Sequence, residues 1–398
     1  MGTEIVIGSA PTGAGFTLGD IARSDAQVTL TSGWTAEVLA GAQTIVTRGP
    51  QVSGYETVRD ASLDAAQEAL DVFCIRGTLS LAAVRVEAAH FAWWTDSAGT
   101  IMRIVGVADL NVGVAVTASV VDTHGNPKPA PPLPVVWHPS FRYFRVSQTS
   151  ADLFDAYRNL YLALESILTT MVPVGRSERE STWLERALRQ IDATLPLAPY
   201  APPGSTDPPA DIYHDVYAQT RTAIFHAKQG SRVFLPQHLG TRAGVVDTLE
   251  RLSRLYLILV DKALGVRRAA GVMTYAGFNL AMEPRINAAS EVAITDDSSP
   301  LDPDDTVVNP GVGSVAQFAA PYAPALDRPG SKYWLGELQS AHFGPVQRVS
   351  RFGLLLDSIL IQAERLDDPV SLLGIDVLQV QLGQRLVNTN HPRATFPT

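Results

Sequence analysis

The spacing of apolar residues along the chain changes twice. Over residues 1–150 they fall in short alternating runs. TEIVIGSA, AQVTLTSG, TIVTRGP, VRVEAAHFAWW, TIMRIVGVADLNV, GVAVTASVV and FRYFRVSQ are rich in β-branched and aromatic residues and are broken by Gly, Ser or Asp. Alternation of this kind predicts half-buried strands. One helix interrupts them: Leu63, Ala66, Leu70 and Phe73 recur at helical spacing, with Ser62 as the expected N-cap. From Ala151 the period lies between three and four. Leu153, Tyr157, Leu160, Leu164 and Ile167 or Leu168 form one stripe, which stops at Pro173–Gly175. A second helix is expected from Ser177, whose spacing to Glu180 fits a capping box. A helix starting near Asp211 and another over RAGVVDTLERLSRLYLILVDKAL complete the set. Alternation returns after residue 268 in GVMTYAGFNLAME, SEVAITD, SVAQFAAP, FGPVQRVSRFGLLLDSILIQAE and SLLGIDVLQVQLGQRLVN. These patterns predict an α+β multidomain chain, with a β-rich domain over 1–150, a central antiparallel bundle of four or five helices over 151–268, and a β-rich domain over 269–398.

Two proline-rich stretches punctuate this order. HGNPKPAPPLPVVWHP reads as a stiff extended connector. TLPLAPYAPPGSTDPPA is expected to be neither helix nor central strand, and it leads directly into the helix that starts near Asp211.

Composition narrows the class. With 398 residues, 46% hydrophobic and 18% charged, the chain reads as an ordered protein of more than one domain. Its single cysteine, Cys74, excludes an internal disulfide, and its apolar neighbours predict a buried thiol. No run of eighteen apolar residues suggests a membrane span, and the start MGTEIVIGSAPTG lacks an export signal, so a cytoplasmic location is expected. The net charge of −9 argues against a general nucleic-acid coat. Residues 151–268, however, hold 14 Lys and Arg against 13 Asp and Glu, so any RNA contact would belong to the helices.

Candidate chemistry concentrates in RTAIFHAKQG, where Arg221 and His226 sit five residues apart. An arginine can clamp a phosphate and an imidazole can move a proton, which is what metal-free RNA cleavage requires. On an α-helix such a pair is about 140° apart around the axis, so one copy cannot readily close both on a single phosphate. A homodimer through the bundle would build a composite site. The bland alternative makes His226 a helix-end residue and pairs Arg221 with Glu165 or Asp215.

Other chemistry is weakly signalled. The eight histidines (His90, His124, His138, His214, His226, His238, His342, His391) show no metal-ligand spacing, so no metal and no cofactor are expected. The acidic run DDSSPLDPDDTV lacks the glycine and terminal glutamate of a calcium loop. GAGFTLG is not a dinucleotide fingerprint, and one ring of Trp93–Trp94 is expected in the core.

The helix order together with RxAIFHAK over 151–268 resembles the HEPN-domain family, in particular bacterial proteins like methylamine utilisation protein J. The resemblance implies a HEPN-like bundle, dimerisation, and metal-independent endoribonuclease activity of a defence or stress effector. Arg221 would hold the scissile phosphate and His226 would exchange a proton, with Gln219, Thr222 and Lys228 supporting them. Active members usually place Asn, Asp or another strongly polar residue directly after the arginine, where this chain has Thr222. The flanking β domains would then sense a protein trigger or inhibitor. Two alternatives stand beside the enzyme: a non-catalytic dimerisation, nucleotide- or protein-binding module, and a structural or assembly protein.

Overall fold

The computed structural model describes residues 4–77, 89–110, 120–121, 127–128, 137–150, 152–225, 239–266, 273–299 and 313–386. The chain divides into two compact units, Met1–Leu110 with Tyr275–Leu386, and Asn111–Thr274.

The first unit is built on two sheets. Its first half runs β1 (Thr12–Thr17), β2 (Ala26–Thr29), β3 (Thr35–Val38), β4 (Thr44–Gly49), α1 (Tyr55–Arg76), β5 (His90–Asp96) and β6 (Gly99–Leu110). Two short strands, β7 (Val120–Val121) and β8 (Pro127–Lys128), pair with each other in the second unit. That unit continues with α2 (Pro139–Thr149), α3 (Leu153–Met171), α4 (Glu180–Asp192), α5 (Pro208–Tyr213), a π-helical stretch His214–Arg221, α6 (Thr222–Phe225) and α7 (Leu239–Leu264). The chain then returns to the first unit with α8 (Tyr275–Asn287), β9 (Ser290–Thr295), β10 (Val315–Ala319), β11 (Ser331–Gln339), β12 (Arg348–Leu356), β13 (Ile359–Ser371) and β14 (Val377–Leu386).

The eight-stranded sheet has the order β11-β14-β6-β5-β1-β4-β3-β2. Its one parallel pairing joins β14 to β6 over Val377–Leu386 and Ile101–Leu110. This pairing overturns the expected architecture: the N- and C-terminal β regions are not two flanking domains but one mixed sheet. A four-stranded antiparallel sheet, β10-β9-β12-β13, accompanies it. The expected central antiparallel bundle is also corrected. The second unit is an irregular helical cluster in which α2 and α7 pack on α3, and α5, the π-helical stretch and α6 interrupt any regular up-and-down order.

Burial explains the sheet. Helix α1 lays Leu63, Ala66, Leu70 and Phe73 on one sheet face, against Ala14, Phe16, Ile45 and Trp94. On the other face, a Cβ added at Gly106 of β6 would meet Glu364 and Phe352 of the small sheet. Glycines in GAGFTLG serve packing. The ring of Phe91 lies over Gly15 and that of Trp93 over Gly13, so close that a Cβ would sit 2.3 Å from either ring. Trp93 and Trp94 point to opposite faces, and both are buried, at 0% and 5% exposure. Neither ring is available to stack a base.

Five local expectations are corrected. FRYFRVSQ and the YAGFNLAME part of GVMTYAGFNLAME, expected as strands, belong to helices α2 and α8. In α2, His138 caps Ser140 with Pro139 at the first turn, and Phe144 stacks on Tyr256 with centroids 4.8 Å apart, so packing outweighs β propensity. Ser62 is buried inside α1 rather than capping it, and Cys74 near the end of that helix is exposed. Ser177 adopts a φ of 63° and α4 begins only at Glu180, without a capping box.

Candidate functional site

Arg221 closes a helical segment that begins with Pro208, capped by Asp207 accepting from Ala210 N–H. The segment is α-helical to Tyr213 and π-helical from His214 to Arg221, so the Thr222 N–H reaches back five residues to the Tyr217 carbonyl. Side chains from the segment itself and from neighbouring helices hold the wider turn. The Tyr157 hydroxyl donates to the Val216 carbonyl at 2.6 Å, and the Thr222 hydroxyl donates to the Tyr217 carbonyl at 3.0 Å. Asp215 accepts from Arg251 at 2.7 Å and from Thr248 at 3.1 Å.

The extra residue in this turn aims Arg221 at α4. Its Nη2 donates to Glu180 Oε2 at 3.0 Å, and the Tyr161 hydroxyl donates to Glu180 Oε1 at 2.7 Å. Both oxygens of Glu180 are therefore engaged. Three rings surround the guanidinium, those of Phe225, Tyr217 and Tyr161, at 5.0, 5.2 and 5.7 Å from their centroids. The Arg221 side chain is 17% exposed. Burial, followed by the charge of Glu180, raises the Glu165 carboxyl above its ordinary pKa. Burial and the hydrogen bond to Glu180 raise the Tyr161 phenol as well.

The expected site residues are thus only partly brought together. Arg221 pairs with Glu180, not with Glu165 or Asp215. Thr222 faces its own helix through the Tyr217 carbonyl, and Gln219 contacts His214 Nδ1 at 3.1 Å on the surface. His226 and Lys228 lie outside the described residues, as do His124, His238 and His391. The described histidines include His90, bound to the Tyr55 hydroxyl at 2.8 Å, and the cap His138. Among the described residues no group of three His, Cys, Asp or Glu is placed to hold a metal ion, and no helix is long and apolar enough to cross a membrane.

Sequence reasoning missed Glu180, Tyr161 and Tyr217. Glu180 reads as part of a capping box, and neither tyrosine falls in any motif of the sequence. An acid nineteen residues after Tyr161 carries no local signal that it meets an arginine forty-one residues further on. Compared with known proteins, the chain matches no family model, no curated protein and no solved structure.

Proposed function

We propose that the protein is a non-catalytic binding protein, in which the helical unit engages a protein partner and Arg221 serves to fix the π-helical stretch. One observation carries this reading: the guanidinium already has a carboxylate, itself held by Tyr161. With Glu165 beside Glu180, the local acids repel a polyanion. The test is direct. Purified protein should leave total RNA intact, with or without EDTA, and Arg221→Ala should lower stability by about 1.5 kcal/mol, as loss of a half-buried ion pair does.

A second reading, metal-independent endoribonuclease on a two-fold dimer, draws support from the π-helical turn, a geometry that recurs at functional sites. Under it, Arg221→Ala and His226→Ala would each abolish RNA cleavage while leaving stability unchanged. That result would replace the binding reading with the enzyme.

A further inference from the structure

The proline-rich loop before α5 closes one wall of a cleft of about 400 Å³. The opposite wall is a single face of α7, where Asp247, Glu250, Arg251 and Arg254 follow at spacings of three, four and seven residues from the first. These four residues balance in charge, but Arg251 already answers a third acid, Asp215, so three acids stand against two arginines, an excess of one negative charge.

Both arginines are engaged. Arg251 donates to Asp215 at 2.7 Å, and Arg254 donates to the Pro199 carbonyl at 3.2 Å, with its guanidinium 6.0 Å from the centre of the Tyr200 ring. Both acids stand open: among the described residues neither Asp247 nor Glu250 has a hydrogen-bond or ion-pair partner. Pro199, Pro202 and Pro203 line the loop wall and bring no N–H groups, so these three residues offer ring carbons and carbonyl oxygens. The loop is anchored at its far end, where Arg189 meets Asp207 at 3.1 Å and Ser205 donates to Asp211 at 2.6 Å. What the two open carboxylates lack is a positively charged partner of their own.

We infer that this cleft takes the guanidinium or ammonium head of a basic side chain from a partner protein, with its aliphatic stem along the three prolines. The inference rests on the binding-protein reading and gives the partner its chemistry. RNA fits poorly, since its phosphates would face the two open carboxylates. A bare divalent ion would find only two protein carboxylates where such ions take more oxygen ligands.

Titration calorimetry on the full chain tests this, with blocked tetra-arginine, blocked tetra-glutamate, spermidine and magnesium chloride as probes. Tetra-arginine should bind saturably, and Asp247→Asn with Glu250→Gln should weaken it at least tenfold. Asp261→Asn, on α7 beyond the cleft, should leave it unchanged. If the double variant loses its circular dichroism, the exposed Asp247→Asn alone should still weaken binding at least threefold. Absence of saturable binding, equal binding by a folded cleft variant, or binding of spermidine or magnesium without the peptide each overturns the inference. The two proposals fail separately. Missing peptide binding with RNA intact removes only the cleft, whereas RNA cleavage that depends on His226 removes the binding-protein reading.

Discussion

In the sheet unit, Arg351 of β12 donates to Asp297 at 3.0 Å, with the two side chains only 3% and 2% exposed. In the helical unit, Arg221 meets Glu180 at the same distance, with side chains 17% and 31% exposed and aromatic rings around the cation. The distance is shared and the consequence differs. A sealed pair has given up its water entirely, so each partner depends on the other. A half-open pair leans on rings and solvent, and can lose a member more cheaply. Burial, more than contact length, decides what an ion pair does for a fold.

The strongest way to break this comparison is Asp297→Ala. It takes the carboxylate from a buried guanidinium, which keeps its bond to Ser299 Oγ at 3.2 Å, and should cost about 3 kcal/mol in denaturant unfolding. A cost of about 1.5 kcal/mol or less would place the pair in the same class as Arg221–Glu180.

Next in size comes the packing of rings on glycine in the sheet unit. Gly15→Ala should cost about 2 kcal/mol, because the new methyl collides with the Phe91 ring. Phe91→Ala alone should cost about 3–5 kcal/mol, and the double variant should cost less than the two losses added together. Strict additivity in that cycle would show that the ring does not lie on the glycine.

A smaller effect sharpens the helical side. Arg221→Lys keeps the charge but loses the planar fork and its stacking, and should retain less than half of the roughly 1.5 kcal/mol lost in Arg221→Ala. Full retention in thermal unfolding would mean that charge alone holds the site.

The smallest effect is pH dependence, and its sign separates the two regions. Burial alone would raise Asp297, but the hydrogen bonds from Ser299 and the charge of Arg351 outweigh it and hold the carboxyl below its ordinary value of 3.8. Its contribution is present above that value and is lost as acid protonates the folded form. Glu165 lies above its ordinary 4.5, so its contribution is full below that value and fades as pH rises through the folded pKa. Glu165→Gln should therefore raise stability slightly at neutral pH, within about 0.5 kcal/mol given solvent screening, and flatten its pH slope. An unchanged slope between pH 4 and 7 would remove Glu165 from the cluster.

Periodicity made the long elements legible. Leu153, Tyr157, Leu160, Leu164, Ile167 and Leu168 are all buried in α3, as their stripe requires. The strands of SEVAITD and SLLGIDVLQVQLGQRLVN likewise appear where alternation placed them, as β9 and β14. What the chain hid was partnership. Nothing near Val377 announces a parallel neighbour at Ile101, and nothing in FRYFRVSQ or YAGFNLAME says that these runs close into helices rather than strands. At the candidate site the position of Arg221 could be read, but its carboxylate could not. The choice among Glu165, Asp215 and Glu180 depends on a π-helical turn that rotates the side chain, and no residue pattern in HDVYAQTR announces that turn.

The parallel seam between β6 and β14 also sets a schedule for synthesis. When residue 110 leaves the ribosome, β6 can pair with β5 but still shows its other edge. The strand that covers it arrives only after residue 377, with the helical unit made in between. At about 5–20 residues per second that edge stays open for roughly 15–50 s. During that interval the nascent sheet is a template for any passing strand, so fast growth, chaperone supply and expression temperature should govern yield more strongly than the stability of the finished protein.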